Sequence, residues 1–148
     1  MSKGYARQIA LADVGAEGQA KLGRARVLVV GLGGLGCPAA LYLATSGVGK
    51  LVLNDFDRVD ETNLPRQILY APEDVGALKV EAAKKRLSGL NPGVEVVALA
   101  ERLDGAALEA AVGGVDIVLD GTDNFAARFA VNRACVARSV PLVSGAAV

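Results

Sequence analysis

Residues 26–37 read RVLVVGLGGLGC. An apolar, β-branched run from Arg26 to Val30 breaks off at glycines, and from Cys37 to Ser46 alanine and leucine recur at helical spacing. This succession predicts a strand, a tight loop and a helix. Pro38 suits the first helical turn, where its missing N–H costs nothing, and Gly47 and Gly49 mark the end of the helix.

The alternation continues outward from that unit. Lys50 to Asn54 is a second strand, and residues 73–90 predict a helix with Val75, Leu78, Ala82, Leu87 and Leu90 on its apolar face, stopped by Asn91-Pro92-Gly93. Val94 to Leu99 is a third strand, Asp104 caps a short helix through Val112, and Val115 to Leu119 is a fourth strand. Phe125 to Arg138 is a further helix and Val140 to Val143 a fifth strand. Alternating β and α segments with near-continuous apolar strands imply an α/β fold: a doubly wound, mostly parallel, Rossmann-like sheet joined by right-handed crossovers. Residues 1–24, with Ile9, Leu11, Val14 and Leu22 among polar neighbours, predict an amphipathic N-terminal helical region docked on the sheet or on a partner. Residues 25–148 are the sheet domain, and its last strand is followed only by Ser144 to Val148, so a fragment is expected.

Composition narrows the function classes. The chain has 148 residues, enough for one domain with a real core, and 52% of them are apolar or aromatic. Sixteen basic residues balance sixteen acidic ones, leaving no basic field for a nucleic acid or an anionic membrane. The N-terminal MSKGYARQ lacks the apolar stretch of a signal peptide, and no run approaches the roughly 20 apolar residues of a membrane span; the expectation is a cytoplasmic protein. Cys37 and Cys135 lie too far apart in sequence for a metal knuckle or a disulfide framework and read as core thiols. Histidine is absent, so any catalysis proceeds without imidazole.

In open α/β sheets a ligand sits beyond the carboxyl ends of the strands, where strand order reverses. Gly31, Gly33, Gly34 and Gly36 leave the first strand, Asp55 the second, and Asp120, Thr122, Asp123 and Asn124 the fourth. The glycines let backbone N–H groups approach a phosphate at a helix N-terminus, and Asp55 stands where an acid bonds a ribose hydroxyl. These residues point to a nucleotide. A NAD-dependent dehydrogenase is disfavoured, because the chain holds neither a substrate domain nor a histidine proton donor, and the stretch after Asp55 is rich in phosphate-handling groups.

The ordered set Arg7-Gln8, GLGGLGC at 31–37, DFD at 55–57, NLPRQ at 63–67, VGALK ending at Lys79, GTDN at 121–124 and SGAA at 144–147 resembles the E1-like HesA/MoeB/ThiF family of activating enzymes, MoeB-type members above all. The resemblance spans nearly the whole chain. It implies an E1-like adenylation domain whose C-terminal part is missing. The implied reaction is adenylation by Mg-ATP of the C-terminal glycine carboxylate of a ubiquitin-like sulfur-carrier protein ending in Gly-Gly, with release of pyrophosphate. A carboxylate is already ionised at neutral pH and needs no general base, so the lack of histidine is harmless. By the same resemblance Gly34 lies against the phosphates, Asp55 holds the ribose, Asn63 and Arg66 bind the phosphate chain, and Lys79 adds a second cation. Asp123 would be the ligand to magnesium, with Asn124 beside it, and Arg7 would reach across a homodimer into the neighbouring ATP site.

Other roles remain open on the residues alone. Asp57 reads as a local loop acid, Asp120 either caps the next segment or touches metal, and Cys37 packs rather than attacks. Two departures stand out: Gly4-Tyr5-Ala6 occupies the place of a family arginine, and Pro65 precedes Arg66, fixing φ and deleting an N–H. The family's paired zinc-binding CxxC motifs are not in the sequence. The alternatives are a nucleotide-binding module or inactive subunit without turnover, and a small NAD-binding Rossmann domain.

Overall fold

The structure, a computed structural model, describes residues 3–147. Among them are five strands, β1 (Arg26–Val30), β2 (Lys50–Asn54), β3 (Glu95–Leu99), β4 (Ile117–Asp120) and β5 (Leu142–Ser144), and six helices. The helices are α1 (Ala6–Ile9), α2 (Gly15–Leu22), α3 (Gly36–Thr45), α4 (Lys79–Leu90), α5 (Gly105–Gly113) and α6 (Phe125–Arg138). The strands form one sheet in the order β3-β2-β1-β4-β5, and every pairing is parallel. This is the doubly wound α/β sheet expected from the alternation.

Because strand side chains alternate between faces, each strand serves two cores. Val27, Val29, Leu51, Leu53 and Val96 pack on one face with Cys37, Ala40 and Ala44 of α3 and Val80, Ala83 and Leu87 of α4. Leu28, Val30 and Val118 pack on the other with Leu108 and Val112 of α5 and Val131, Ala134 and Cys135 of α6. Burial on both faces explains why the strands read as unbroken apolar runs.

β1, β2 and α6 have the boundaries expected from sequence, whereas β4 and β5 begin later than their apolar runs. The N–H groups of Val115 and Val140 are taken by the carbonyls of Val112 and Cys135, so these residues finish the preceding helices instead of opening strands. The helix expected over 73–90 is corrected more heavily. Only Pro72–Asp74 is a 3-10 turn, Val75 is exposed, and α4 starts at Lys79. Gly76 has φ +88, a left-handed conformation that interrupts a helix, and the strand-like segment around it pairs with residues 57–59. Val59 N–H donates to the Ala77 carbonyl at 2.8 Å, Gly76 N–H to that of Val59 at 2.9 Å, and Lys79 N–H to that of Asp57 at 3.0 Å. Tertiary pairing overrides local helical pattern here and places Lys79 beside Asp57.

The N-terminal helical region is two short helices, not one, and Leu11 between them is exposed. Gln8 and Gln19 both donate to the Ser46 carbonyl, at 3.1 and 3.0 Å, and Asn91 donates to the Tyr5 hydroxyl at 2.7 Å. These contacts hold α1 and α2 at the amino ends of β2 and β3. No helix among the described residues is long and apolar enough to cross a membrane.

Candidate functional site

At the opposite edge, hydrogen bonding continues one residue past the strand ends. Gly31 N–H donates to Asn54 O at 2.9 Å, Gly121 N–H to Val30 O at 2.8 Å, and Gly145 N–H to Asp120 O at 3.0 Å. Gly31, Gly121 and Gly145 therefore form one row with Asp55, and β1 and β4 flank the point where strand order reverses.

The glycines do two different jobs. Gly31 has φ +87, and a Cβ on it would stand 2.9 Å from the Gly121 carbonyl, while a Cβ on Gly36 would fall on the Gly31 carbonyl oxygen. Gly31 and Gly36 thus let the first loop, the start of α3 and the loop after β4 touch backbone to backbone. Gly33 and Gly34 have more room: their missing side chains would begin 3.8 Å from Gln67 Nε2 and 3.8 Å from the Arg66 side-chain carbons, respectively. An Arg66 side chain lying over Gly34 is one of the juxtapositions expected for a phosphate site.

Asp55 is braced by backbone. Its Oδ2 accepts from Leu32 N–H and its Oδ1 from Asp57 N–H, both at 2.8 Å. A carboxylate has about four lone-pair sites, so acceptor capacity remains for hydroxyl donors. The turn Glu61–Asn63 is fixed by Asp60, whose Oδ1 accepts from the Thr62 N–H and hydroxyl at 2.8 and 2.6 Å. Those bonds hold the Asp60 carboxyl below the usual carboxylate range. Asn63 Oδ1 accepts from Asp60 N–H at 3.1 Å, and Arg66 Nη1 donates to Thr62 O at 2.9 Å. Arg66 is thereby anchored by one of its five donors.

Lys79 is only 6% exposed, although a lysine of this kind ordinarily reads as a solvated surface charge. Its Nζ lies 3.6 Å from Asp57 Oδ2, and Asp57 itself is exposed. A buried ammonium with one long ion pair is poorly compensated, so this position suits a further anionic partner.

After β4, Asp120 acts as a cap. Its Oδ1 accepts from the Thr122 N–H and hydroxyl at 2.9 and 2.6 Å, and its Oδ2 from the Ser144 hydroxyl at 3.1 Å. Asn124 Oδ1 accepts from Ala127 N–H at 2.9 Å and caps α6. Asp123, between them, is exposed and has no hydrogen-bond or ion-pair partner among the described residues. A single free carboxylate fits Mg2+, which keeps most of its waters and takes one or two carboxylates beside phosphate oxygens. Among the described residues no group of three or more metal-ligating side chains is present.

Sequence reasoning gave no role to Arg128, Tyr70 or Gln67. Arg128 Nη2 donates to Thr122 O at 2.8 Å and to Gly145 O at 3.2 Å, tying the loops after β4 and β5 together. Its signal was its position one helical turn after the Asn124 cap. The Tyr70 hydroxyl and the Cys37 thiol both donate to Leu32 O, at 2.8 and 3.2 Å, and so support the glycine loop from below. Burial pushes both groups up from their ordinary pKa values, which keeps the Cys37 thiol protonated and in a packing role. Gln67, the third, is buried at the foot of Gly33.

Arg7 is not brought to this edge. It is exposed on α1, whose neighbours Tyr5 and Gln8 bond at the amino ends of the strands. A five-residue strand spans roughly 16 Å, so Arg7 lies about a strand length from its own chain's glycine loop.

Several known proteins are similar to this chain. The sulfur carrier protein ThiS adenylyltransferase of Escherichia coli is 52% identical over 144 residues, covering 97% of this chain and 57% of that protein. The molybdopterin-synthase adenylyltransferase of the same organism is 49% identical over 144 residues, covering 97% and 58%. The SAMP-activating enzyme E1 of Haloferax volcanii is 46% identical over 142 residues, covering 96% and 53%. The chain therefore spans little more than half the length of these relatives. Among solved structures, Escherichia coli MccB with succinimide superposes with a TM-score of 0.88 at 31% identity, over 100% of this chain and 46% of that one. The tRNA N6-threonylcarbamoyladenosine dehydratase TcdA of Escherichia coli, in complex with ATP, superposes with a TM-score of 0.84 at 30% identity, over 88% and 55%. The ThiF family model matches residues 5–148, and the chain belongs to the ThiF family.

Proposed function

We propose that this chain carries the ATP site of an adenylyltransferase that activates the C-terminal glycine carboxylate of a small ubiquitin-like sulfur-carrier protein, releasing pyrophosphate. The observation that carries the reading is the carboxyl edge of the sheet: Arg66 over Gly34, the buried Lys79 and the unpartnered Asp123 gather beside a backbone-braced Asp55. Attack of a carboxylate on an α-phosphate needs neutralised charge and in-line positioning rather than proton abstraction. The groups at this edge supply both. Asp55 would bond the ribose, Asn63, Arg66 and Lys79 the phosphate chain, and Gly33 and Gly34 would let that chain approach the backbone. Asp123 would hold Mg2+, which supplies charge neutralisation on the phosphates when bound. The carboxylate of the carrier would then attack the α-phosphorus as the bond to pyrophosphate breaks.

The relatives named for ThiS and molybdopterin synthase support a carrier of that kind. ATP–pyrophosphate exchange with candidate carriers ending in Gly-Gly tests the reading. We expect exchange that depends on the carrier, and no exchange with any carrier in the intact protein would contradict it.

We also propose a cytoplasmic homodimer in which Arg7 of one protomer completes the site of the other. The distance of α1 from its own glycine loop favours action across an interface over action within one protomer. Mixing Arg7→Ala and Asp123→Ala protomers should restore part of the exchange, since one hybrid site is then whole. Confirmed mixed dimers without restored exchange would remove Arg7 from the site.

A further inference from the structure

We propose that Arg128 is a positioning residue for magnesium: it clamps the backbone just before Asp123, so that this carboxylate stands fixed and unpaired for the cation, a role that rests on the Mg-ATP reading above.

Asp123 is a free carboxylate on a heavily bonded loop. Thr122, before it, is held at three points: its N–H and hydroxyl donate to Asp120 Oδ1 at 2.9 and 2.6 Å, and its carbonyl accepts from Arg128 Nη2 at 2.8 Å. Asn124, after it, is held at two: its Oδ1 accepts from Ala127 N–H at 2.9 Å and its carbonyl from Arg128 N–H at 3.2 Å. Asp123 itself is exposed and its side chain has no partner among the described residues. Bonded neighbours on both sides of one unpaired acid suit a metal ligand, because the carboxylate is oriented before the ion arrives and little freedom is lost on binding.

The atoms that Arg128 contacts separate this role from two others. Helix α6 has its own cap in Asn124, so it does not need the arginine in order to start. On the same helix Arg138 pairs with Glu109 at 3.5 Å, whereas among the described residues no ion pair joins Arg128 to Asp120 or Asp123. A guanidinium paired with Asp123 would compete with the metal for its charge. By bonding the Thr122 carbonyl instead, Arg128 fixes the loop and leaves that charge available. The same nitrogen donates to Gly145 O at 3.2 Å, and Gly145 N–H donates to Asp120 O at 3.0 Å, so the loop after β5 braces the clamp from the other side.

Dependence on the metal tells this role from packing. Arg128→Met keeps the apolar stem and removes the donors, and water can replace them at Gly145, which is exposed. Calorimetric titration with ATP in EDTA, at physiological ionic strength to screen the lost charge, should give much the same affinity as wild type. With excess Mg2+ the variant should bind ATP roughly 10-fold or more weakly, as expected for losing a residue that orients a metal ligand. Arg128→Lys offers one nitrogen where both side-chain bonds come from one, and should recover part of the loss. Because Arg128 acts through Asp123, the double variant Arg128→Met/Asp123→Ala should bind Mg-ATP no more weakly than Asp123→Ala alone. Additive losses in the double variant would overturn the proposal, as would a lysine variant no better than the methionine one. An affinity loss in EDTA equal to that with Mg2+ would make Arg128 a cation for the phosphates and overturn it too. If Mg2+ leaves wild-type ATP binding unchanged, the magnesium reading falls and the role of Arg128 with it, a failure seen in the wild type alone and so told from the others.

Discussion

The two edges of the sheet treat their polar residues differently. At the amino edge, Gln8, Gln19 and Asn91 are bonded within the chain, and Arg26 meets Asp116 through Nη2 at 2.9 Å, Nε at 3.3 Å and its backbone N–H at 2.8 Å. At the carboxyl edge, Asp123 has no partner among the described residues, Gln67 has an orphaned oxygen, Lys79 has one long ion pair, and Arg66 is held by a single bond. A chain selected only for stability would pair both edges. The contrast sets an amino edge whose buried amides are bonded within the chain against a carboxyl edge whose Arg66 and Lys79 keep donors to spare, as the proposed phosphate site requires.

Substitutions should therefore separate binding from stability according to edge. The largest effects belong to Arg66→Ala and Asp123→Ala, which should lower pyrophosphate exchange by roughly 10²-fold or more, as expected when a group stabilising phosphate charge is removed. Their unfolding free energies should stay within about 0.5 kcal/mol of wild type, since both side chains are exposed. Wild-type exchange in either variant would place the site elsewhere.

Gln19→Ala is the converse case. It removes a donor and an acceptor from a buried position and should cost about 1–3 kcal/mol, lowering the melting temperature by roughly 2–4 °C per kcal/mol for a chain of this size, with Mg-ATP affinity unchanged. An affinity loss without destabilisation would mean that the two edges are coupled.

The smallest effect concerns Asp116, whose carboxyl lies below its ordinary pKa because Arg26 hydrogen-bonds it and attracts it. A depressed folded value means that the pair contributes stability above the unfolded carboxylate pKa of about 4, and that this contribution is lost as pH falls through the lower folded value. Asp116→Asn should thus be less stable than wild type at neutral pH, with the gap narrowing below about pH 4. A gap that widens on acidification would show that the carboxylate is not held by Arg26.

Legibility in the sequence followed the range of the interactions. β1, β2 and α6 are carried by local patterns and short-range signals, namely apolar runs, glycines and the Asn124 cap, and their limits were readable. The start of α4 was not, because pairing of residues 57–59 with the segment around Gly76 joins pieces whose contact no periodicity records. The same pairing hides the burial of Lys79, since a lysine in a helical pattern reads as a solvated charge until the loop above it is folded. The burial of Gln67 was hidden for a related reason: glutamine is a common surface residue, and only the folded turn shows that its amide oxygen is buried without a partner. By contrast, Asp55, Arg66 and Asp123 follow strand ends or turns, where topology alone gathers them at one edge.

The most direct test of the open edge is a calorimetric titration of the protein with Mg-ATP and, separately, with NADH. A ligand that binds only the folded state raises its stability in proportion to occupancy, so a parallel thermal scan reports the same event. We predict heat of binding and a raised melting temperature with Mg-ATP, and neither with NADH. Stabilisation by NADH alone would contradict the account, because the cations at this edge would then have no triphosphate to hold.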